Sequence, residues 1–295
     1  GALAYCLNYG LGFCLIHILH GTIATKQPAM TANAIAATIS QSGGKLRDSE
    51  ALAGLVARTV RTQIVAILGN VGVAVPVAAL IAFAVYFFSG THFVPPAKAE
   101  HLLTEQSLIH SGVVVYAAIA GICLFVAGLI SGYFDNYAAY NRIPQRIRQL
   151  AWARRLLGEY RLQRVANYVG DNLGALAGNF LFGFMLGGTT LLGFLFGLPL
   201  DIRHVAFSSA FVGLGCVGLD GHPNAWLLLW SVLGVAAIGT INLVVSFSLA
   251  LNVALRSRQV SGTPWKTIIG AVWRHLRQRP GDFFMPPKNN IAEIR

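Results

Sequence analysis

"IVAILGNVGVAVPVAALIAFAVYFF", residues 64–88, contains no charged residue. The stretch is longer than the about 20 residues that a helix needs to cross a hydrocarbon layer of about 30 Å. Backbone polar groups in lipid must be satisfied within the segment, so the stretch predicts a membrane-spanning helix. Four further uncharged runs are as long or nearly so: Ala2–Ala24, Ile109–Phe134, Asn172–Leu200 and Ala225–Leu255. We therefore predict an all-α, polytopic helical membrane bundle with about five full spans.

The overall composition excludes an ordinary soluble domain. Hydrophobic residues make up 55% of the chain and charged residues 11%, whereas globular domains carry about 25% charged residues. The mean hydropathy is +0.60. So few charges cannot cover a water-exposed surface of this size, which favours a chain that is covered by lipid.

The basic residues lie in three segments. Of 22 Lys and Arg, five lie in 25–63, seven in 135–171 and eight after residue 255. The positive-inside rule places these segments in the cytoplasm. Five crossings then alternate correctly and leave 89–108 and 201–224 outside. The chain is thus expected in an inner (cytoplasmic) membrane as one domain, 1–295, with a basic cytoplasmic tail at 256–295.

A shorter apolar run, Val205–Leu219, is too short to span the bilayer. A sixth crossing there would place the basic tail outside, so we predict a re-entrant or half-spanning segment; six spans are the alternative. The sequence begins at Gly1, without an initiator Met or a basic region before the first apolar run. We therefore expect it to be the C-terminal membrane portion of a longer chain.

The segment after Pro144, QRIRQLAWARRLLGEYRLQRVANYV, carries arginines at helical spacing beside apolar residues. This pattern predicts a helix at the membrane interface whose arginine heads meet anionic lipid headgroups. Membrane lipids are accordingly the expected partners. DNA binding is the less favoured alternative, because basic loops are the default for an inner-membrane protein.

Glycines recur at intervals of four in the fourth long run. Small residues at this spacing let helices approach closely in lipid, so they predict tight helix packing. The packing residues are Gly170, Gly174, Gly178, Gly183, Gly187, Gly193 and Gly197.

Polar residues between or inside the apolar runs are the candidate functional residues, since burying them in a membrane is costly. The candidate polar site comprises Asp201, Arg203, His204, Asp220, His222, Asn179 and Asn242. We expect Asp201, Arg203 and His204 to surface at the non-cytoplasmic face, where a ligand site would surround the mouth of the short segment. His17 and His20 share a helical face but are interpreted as interface residues. We expect no metal and no cofactor, because no cysteine pair has metal-ligand spacing and no carboxylate or Cys lies near His17 and His20 in sequence to complete a ligand set.

Three stretches together resemble a known family: LNYGLGFCLIHILHGTIATKQPAMTANAIA (Leu7–Ala36), GNFLFGFMLG (Gly178–Gly187) and GFLFGLPLDIRHVAFSSA (Gly193–Ala210). They resemble bacterial multi-spanning membrane proteins that carry the name site-specific recombinase. The name implies DNA strand exchange, which tyrosine-type enzymes perform with a Tyr assisted by arginines and a histidine. The sequence offers no motif of that kind, and no catalytic residue is assigned. We therefore favour a non-enzymatic transport, lipid-handling or scaffold role; a membrane-associated DNA recombinase is the alternative.

Overall fold

The computed structural model describes residues 2–21, 27–41, 49–259 and 265–285, and within these ranges the chain forms helices and no strand. The helices are α1 Ala2–Ile18, α2 Gln27–Gln41, α3 Ser49–Ser89, α4 Pro96–Gln106, α5 Val113–Tyr140, α6 Ile143–Arg148, α7 Ala151–Phe196, α8 Val205–Gly218, α9 Ala225–Ser257 and α10 Trp265–Gln278, followed by a 3₁₀ turn, Pro280–Phe283. The prediction of an all-α helical bundle is confirmed.

Four helices of the described chain are long and apolar enough to cross a membrane, namely α3, α5, α7 and α9. The first predicted span gives a shorter helix, because α1 has 17 residues and ends at Ile18. His20 there adopts a positive φ of 62°, and the Gly21 N–H turns back to the Ile16 carbonyl at 2.8 Å. Residues 22–24 of the predicted run lie outside the described residues.

Long helices that follow one another along the chain run in opposite directions, whereas the packed pair α5 and α9 is parallel, because Ala117 meets Asn242 and Gly121 meets Val245. In α1 and α7, Cys14 contacts the Leu176 carbonyl at 3.4 Å and His17 contacts Asn172 at 3.0 Å, so these helices run antiparallel. The bundle therefore has two ends. We call the end where α3 begins and α5 and α9 finish the basic end. The other is the acidic end, because residues 89–112 and 197–224 hold the acids Glu100, Glu105, Asp201 and Asp220 against the bases Lys98 and Arg203.

The arginine-rich segment is divided between α6 and the two parts of α7. The sequence predicted one interface helix here, whereas α7 runs from Ala151 to Phe196 and consists of two helical parts that meet at a kink. Its one departure from helical geometry is Gly158, with φ 73° and ψ 164°. No helix-breaking residue follows Gly158 before the apolar half, so the arginines of 159–171 stand on the basic-end extension of the same helix.

Helix α8 occupies only half of the bundle. Its first residue, Val205, shares a pocket with Asn70 near the middle of α3, whereas Gly218 packs against Ala99 beyond the end of α3. The chain reaches Val205 through a non-helical segment, 197–204, that begins at Gly197 with φ 62°. The segment thus enters the bundle from the acidic end and α8 returns there, which is the arrangement of a half-spanning element.

The 89–108 segment is also more structured than the loop that the sequence suggested. Pro95 and Pro96 begin helix α4, since proline is well accommodated in a first helical turn. Leu103 and Gln106 of α4 are fully buried, and Ser231 of α9 donates to the Leu103 carbonyl at 2.8 Å. Helix α4 therefore covers the outer halves of α8 and α9.

Six of the seven predicted packing glycines of α7 lie at close contacts, with four different partners. A Cβ would meet Pro144 at Gly170, Ser131 at Gly174 and Gly178, α1 at Gly183 and Gly187, and Leu200 at Gly193. Gly197 has nothing within 4 Å and instead supplies the left-handed end of the helix.

Gly183→Ala is expected to lower the free energy of unfolding by about 1–3 kcal/mol, the usual cost of overpacking. The added Cβ would lie 2.5 Å from the Tyr9 carbonyl carbon of α1, which is backbone and cannot turn aside. Titration of detergent-solubilised protein with SDS measures the effect.

Gly188→Ala is the matched control, since nothing lies within 4 Å of that Cβ. It is expected to be neutral or to stabilise by up to about 1 kcal/mol. Equal effects of the two substitutions would contradict the close contact.

Candidate functional site

The segment that leads into α8 lies between two cavities. Arg203 and His204 are 7% and 8% exposed, so they do not surface at a membrane face as the sequence suggested. The reason is that the segment descends between α1, α5 and α9 before α8 begins. Arg203 lines a larger cavity toward the acidic end, and His204 lines a small pocket in the middle of the bundle.

Arg203 is held by two carboxylates and two carbonyls. Its guanidinium lies 2.6 Å from Asp201 Oδ2 and 3.6 Å from Glu105 Oε2, and it donates to the Ile202 carbonyl at 3.1 Å. Its Nε also donates to the Glu105 carbonyl at 3.4 Å. A buried guanidinium with this many acceptors joins α4 to the segment. The Asp201–Arg203 pair is therefore largely buried and differs from an exposed surface pair.

Asn242 of α9 fixes the other side of the segment. Its amide donates to the Ala117 carbonyl of α5 at 2.8 Å and to the Arg203 carbonyl at 3.1 Å. Its side-chain oxygen accepts from the Val205 N–H at 3.4 Å, which is one of the unpaired donors at the start of α8. One buried amide thus ties α5, α9 and the start of α8 together.

The larger cavity, which we call the vestibule, has a volume of about 390 Å³. Helices α1, α4, α7 and α8 form its walls together with residues 201–203, and Lys98 and Tyr5 at its edge are exposed. Its polar side chains are Tyr5, Tyr9, Lys98, Glu105, Thr190, Asp201, Arg203 and Ser208. The four charged groups among them cancel, two positive against two negative.

The second cavity, which we call the mid-bundle pocket, has a volume of about 70 Å³. Gln63, Asn70, His204 and Asn242 supply its polar lining. Phe13, Phe182 and Phe207 surround the imidazole of His204 at ring-centroid distances of 5.8, 5.2 and 6.2 Å. A pocket of this volume with four polar side chains can hold a small polar molecule such as water, which needs polar partners at a buried site.

Two buried polar atoms beside the cavities lack a hydrogen-bond partner within the described part of the chain. They are Nδ1 of His204 and Oγ of Ser208. Buried polar atoms are nearly always paired, so an unpaired one at a cavity points to a ligand or to water.

Three of the predicted site residues lie elsewhere. Asp220 contacts His92 at 3.3 Å at the far end of α8, and His222 is exposed in the turn that follows. Asn179 is 1% exposed within α7 but lines neither the vestibule nor the mid-bundle pocket. Of the seven predicted site residues, the structure therefore brings together Asp201, Arg203, His204 and Asn242 at the start of α8.

Sequence reasoning missed several residues of the site, among them Glu105, Lys98, Tyr9 and Gln63. Glu105 and Lys98 lie in the segment taken as an outer loop, and their spacing of seven residues on one face of α4 was the available signal. Tyr9 and Gln63 carried no signal of their own, since an isolated Tyr or Gln within a helix is common. Among the residues described, no group of three His, Cys, Asp or Glu side chains could hold a metal ion.

Comparison with known proteins gives a family for the chain. A family model described as "Site-specific recombinase" matches residues 1–286. The chain belongs to the site-specific recombinase family. No curated protein and no solved structure matches it.

The family name directs attention to tyrosines near basic groups. In this family member Tyr9, Lys98 and Arg203 line the same vestibule. Glu105 and Asp201 share it and already bind Arg203, so a phosphodiester would meet two carboxylates there. At the basic end, the exposed Tyr133 and Tyr137 stack on each other at 6.2 Å, an arrangement typical of a membrane aromatic belt.

Proposed function

We propose that this family member is a transport protein of the bacterial cytoplasmic membrane that moves a small, polar solute without net charge. The observation that supports it best is the start of α8 in the middle of the bundle, between a charged vestibule and a polar pocket. Transporters place their sites where helices are interrupted near the bilayer midplane. Irregular backbone is tolerated at that depth only where it is buried in protein or lines a cavity.

The vestibule suggests the class of solute. Two positive and two negative side chains line this one cavity of about 390 Å³. A zwitterion such as an amino acid can pair with both signs, whereas a net anion or cation would face a like charge. Residues 201–204 then form the barrier between the vestibule and the mid-bundle pocket, with Arg203 facing one and His204 the other.

Proteoliposomes loaded with unlabelled zwitterionic amino acids are expected to exchange them for external radiolabelled ones. In a protein without its four native cysteines, Thr190→Cys places a thiol in the vestibule wall. Reaction with a bulky, membrane-impermeant thiol reagent is expected to reduce exchange at least about tenfold, because the adduct fills the route. Asp220→Cys, at the same end but outside the vestibule, is the matched control and should retain exchange after labelling.

Absence of exchange for every amino acid by folded protein would contradict the proposal. So would exchange that survives complete labelling of Thr190→Cys. An intermediate loss shared by both cysteine variants would indicate general damage and would also count against a route through the vestibule.

DNA strand exchange is the second candidate, and the exposed arginines at the basic end favour it. Arg154 and Arg155 in α7 and Arg142 before α6 are exposed, although Arg154 is paired with Glu159 at 2.9 Å. Purified protein incubated with supercoiled DNA would support this function if it produced covalent protein–DNA adducts that a single Tyr→Phe substitution removed. Tyr9→Phe and Tyr140→Phe are the two variants to compare, one in the vestibule and one at the basic end.

A further inference from the structure

A deep apolar groove lies at the basic end, on the opposite side of the bundle from the vestibule. Helices α3, α9 and α10 form it, and its volume is about 670 Å³. The walls include Val56 and Val60 of α3, Val244 and Phe247 of α9, and Ile269 and Trp273 of α10. A volume of this size and an apolar lining are typical of a small-molecule site.

The groove is held open by the chain that follows α10. Arg61 of α3 donates to the Asp282 carbonyl at 3.0 Å and the Met285 carbonyl at 2.9 Å. The Asp282 carboxylate in turn contacts His275 of α10 at 2.9 Å. These contacts fix α10 beside α3, so the groove exists before any ligand enters it.

Two of the few polar residues in the wall donate hydrogen bonds within their own helices. Thr59 donates to the Leu55 carbonyl at 2.9 Å, and Asn252 donates to the Ser248 carbonyl at 3.0 Å. These two bonds leave the lining predominantly apolar, which suits a long apolar occupant.

The mouth of the groove faces outward and has Arg277 beside it. Val244, Ile269 and Trp273 are 54%, 62% and 53% exposed. The Arg277 guanidinium lies 5.0 Å from the ring centroid of Trp273, directly over a wall of the groove. Six basic residues stand against the single acid Asp282 between 252 and 285, namely Arg256, Arg258, Lys266, Arg274, Arg277 and Arg279.

We propose that this groove binds an acyl chain of an anionic phospholipid, with the headgroup phosphate at Arg277. The apolar wall and the Arg277 guanidinium beside it suit a molecule with a long apolar tail and a negative head. Amphipathic helices with Trp and Arg at their boundary lie at the same depth as lipid headgroups. The site is independent of the solute route, because Arg277 and Trp273 line neither the vestibule nor the mid-bundle pocket.

Native mass spectrometry of delipidated protein in detergent, titrated with phosphatidylglycerol or phosphatidylcholine of identical chains, tests the proposal. One phosphatidylglycerol is expected to bind more tightly than the rest. Val244→Trp fills the groove and should weaken that site at least about tenfold. Val232→Trp is the matched control, because Val232 lies nearer the start of α9, outside the groove, and is similarly exposed (48% against 54% for Val244). It should leave binding of the phosphatidylglycerol unchanged.

Charge selection is tested separately. Arg277→Gln should reduce the preference for phosphatidylglycerol over phosphatidylcholine by about fivefold, since one basic residue at an anionic lipid surface has an effect of that order. Arg274→Gln removes an equal charge from another face of α10 and should have little effect. Inorganic phosphate at millimolar concentration should not displace the lipid, because it lacks the tail.

Equal binding of phosphatidylglycerol by wild type and Val244→Trp would overturn the proposal. Equal affinity of the wild type for both lipids would also overturn it. Dimers that form only when the groove holds no lipid would overturn it as well, because a second copy of the chain would then be the occupant of the groove. If Val244→Trp does not fold, Val60→Phe on the α3 wall repeats the test.

Discussion

Asn242→Ala is expected to lower the free energy of unfolding by about 2–4 kcal/mol, because it leaves buried backbone groups without partners. The Ala117 and Arg203 carbonyls lose their donor, and the Val205 N–H loses its acceptor. SDS titration of detergent-solubilised protein measures the change. Asn242→Asp keeps an acceptor but has no donor for the two carbonyls, so it should be at least as destabilising as alanine.

Thr240→Ala is the matched control for Asn242→Ala. Thr240 lies on the same helix, two residues away, and its hydroxyl bonds only to the Ala236 carbonyl of its own helix at an exposed position. We expect a change within about 0.5 kcal/mol, as for other surface substitutions. A loss of similar size in both variants would show that α9 is generally sensitive and that Asn242 has no special role in holding the start of α8.

Arg203→Met is expected to lower the free energy of unfolding by about 2–3 kcal/mol, the contribution of hydrogen bonds to a charged group together with the cost of leaving its partners unpaired. Asp201 and Glu105 would remain as neighbouring carboxylates that are 32% and 29% exposed. Water can reach both in part, which keeps the loss below that of a fully buried pair.

The ion-pair interpretation also predicts the stability of a triple variant built on Arg203→Met. Adding Asp201→Asn and Glu105→Gln to it removes the unpaired charges and should recover most of the stability, since a neutral replacement of a buried pair is often tolerated. Asp220→Asn, which weakens the more exposed contact with His92 at the same end, should change stability by less than about 1 kcal/mol. Failure of the triple variant to recover would mean that Arg203 acts by packing rather than by charge.

Much of the architecture could be predicted because membrane insertion depends on local composition. The uncharged runs predicted the apolar parts of α3, α5, α7 and α9, since a helix in lipid must satisfy its own backbone. The shortness of Val205–Leu219, together with the positive-inside rule, predicted a re-entrant or half-spanning element and left six spans as the alternative. The prediction for the first run was less accurate, since a single positive φ at His20 ends α1 early and carries no clear mark in the sequence.

The site was predictable only in part. Asp201, Arg203 and His204 were visible as polar residues between apolar runs, and Asn242 as a polar residue inside one. Their partners came from distant helices: Glu105 is 98 residues from Arg203 along the chain, and Ala117 is 125 from Asn242. Such pairings depend on which helices become neighbours, and periodicity within one helix contains no information about that.

The sequence by itself determined that this is a helical membrane protein and which segments of it are basic. For Val205–Leu219 it left a re-entrant or half-spanning segment and a sixth span as alternatives. These properties follow from local hydrophobicity, charge and length. Only the tertiary structure decided that α8 occupies half of the bundle, that Arg203 is buried beside two carboxylates, and that α10 closes an apolar groove against α3. Each of these depends on segments that are distant along the chain meeting in space, which requires packing that no single segment specifies.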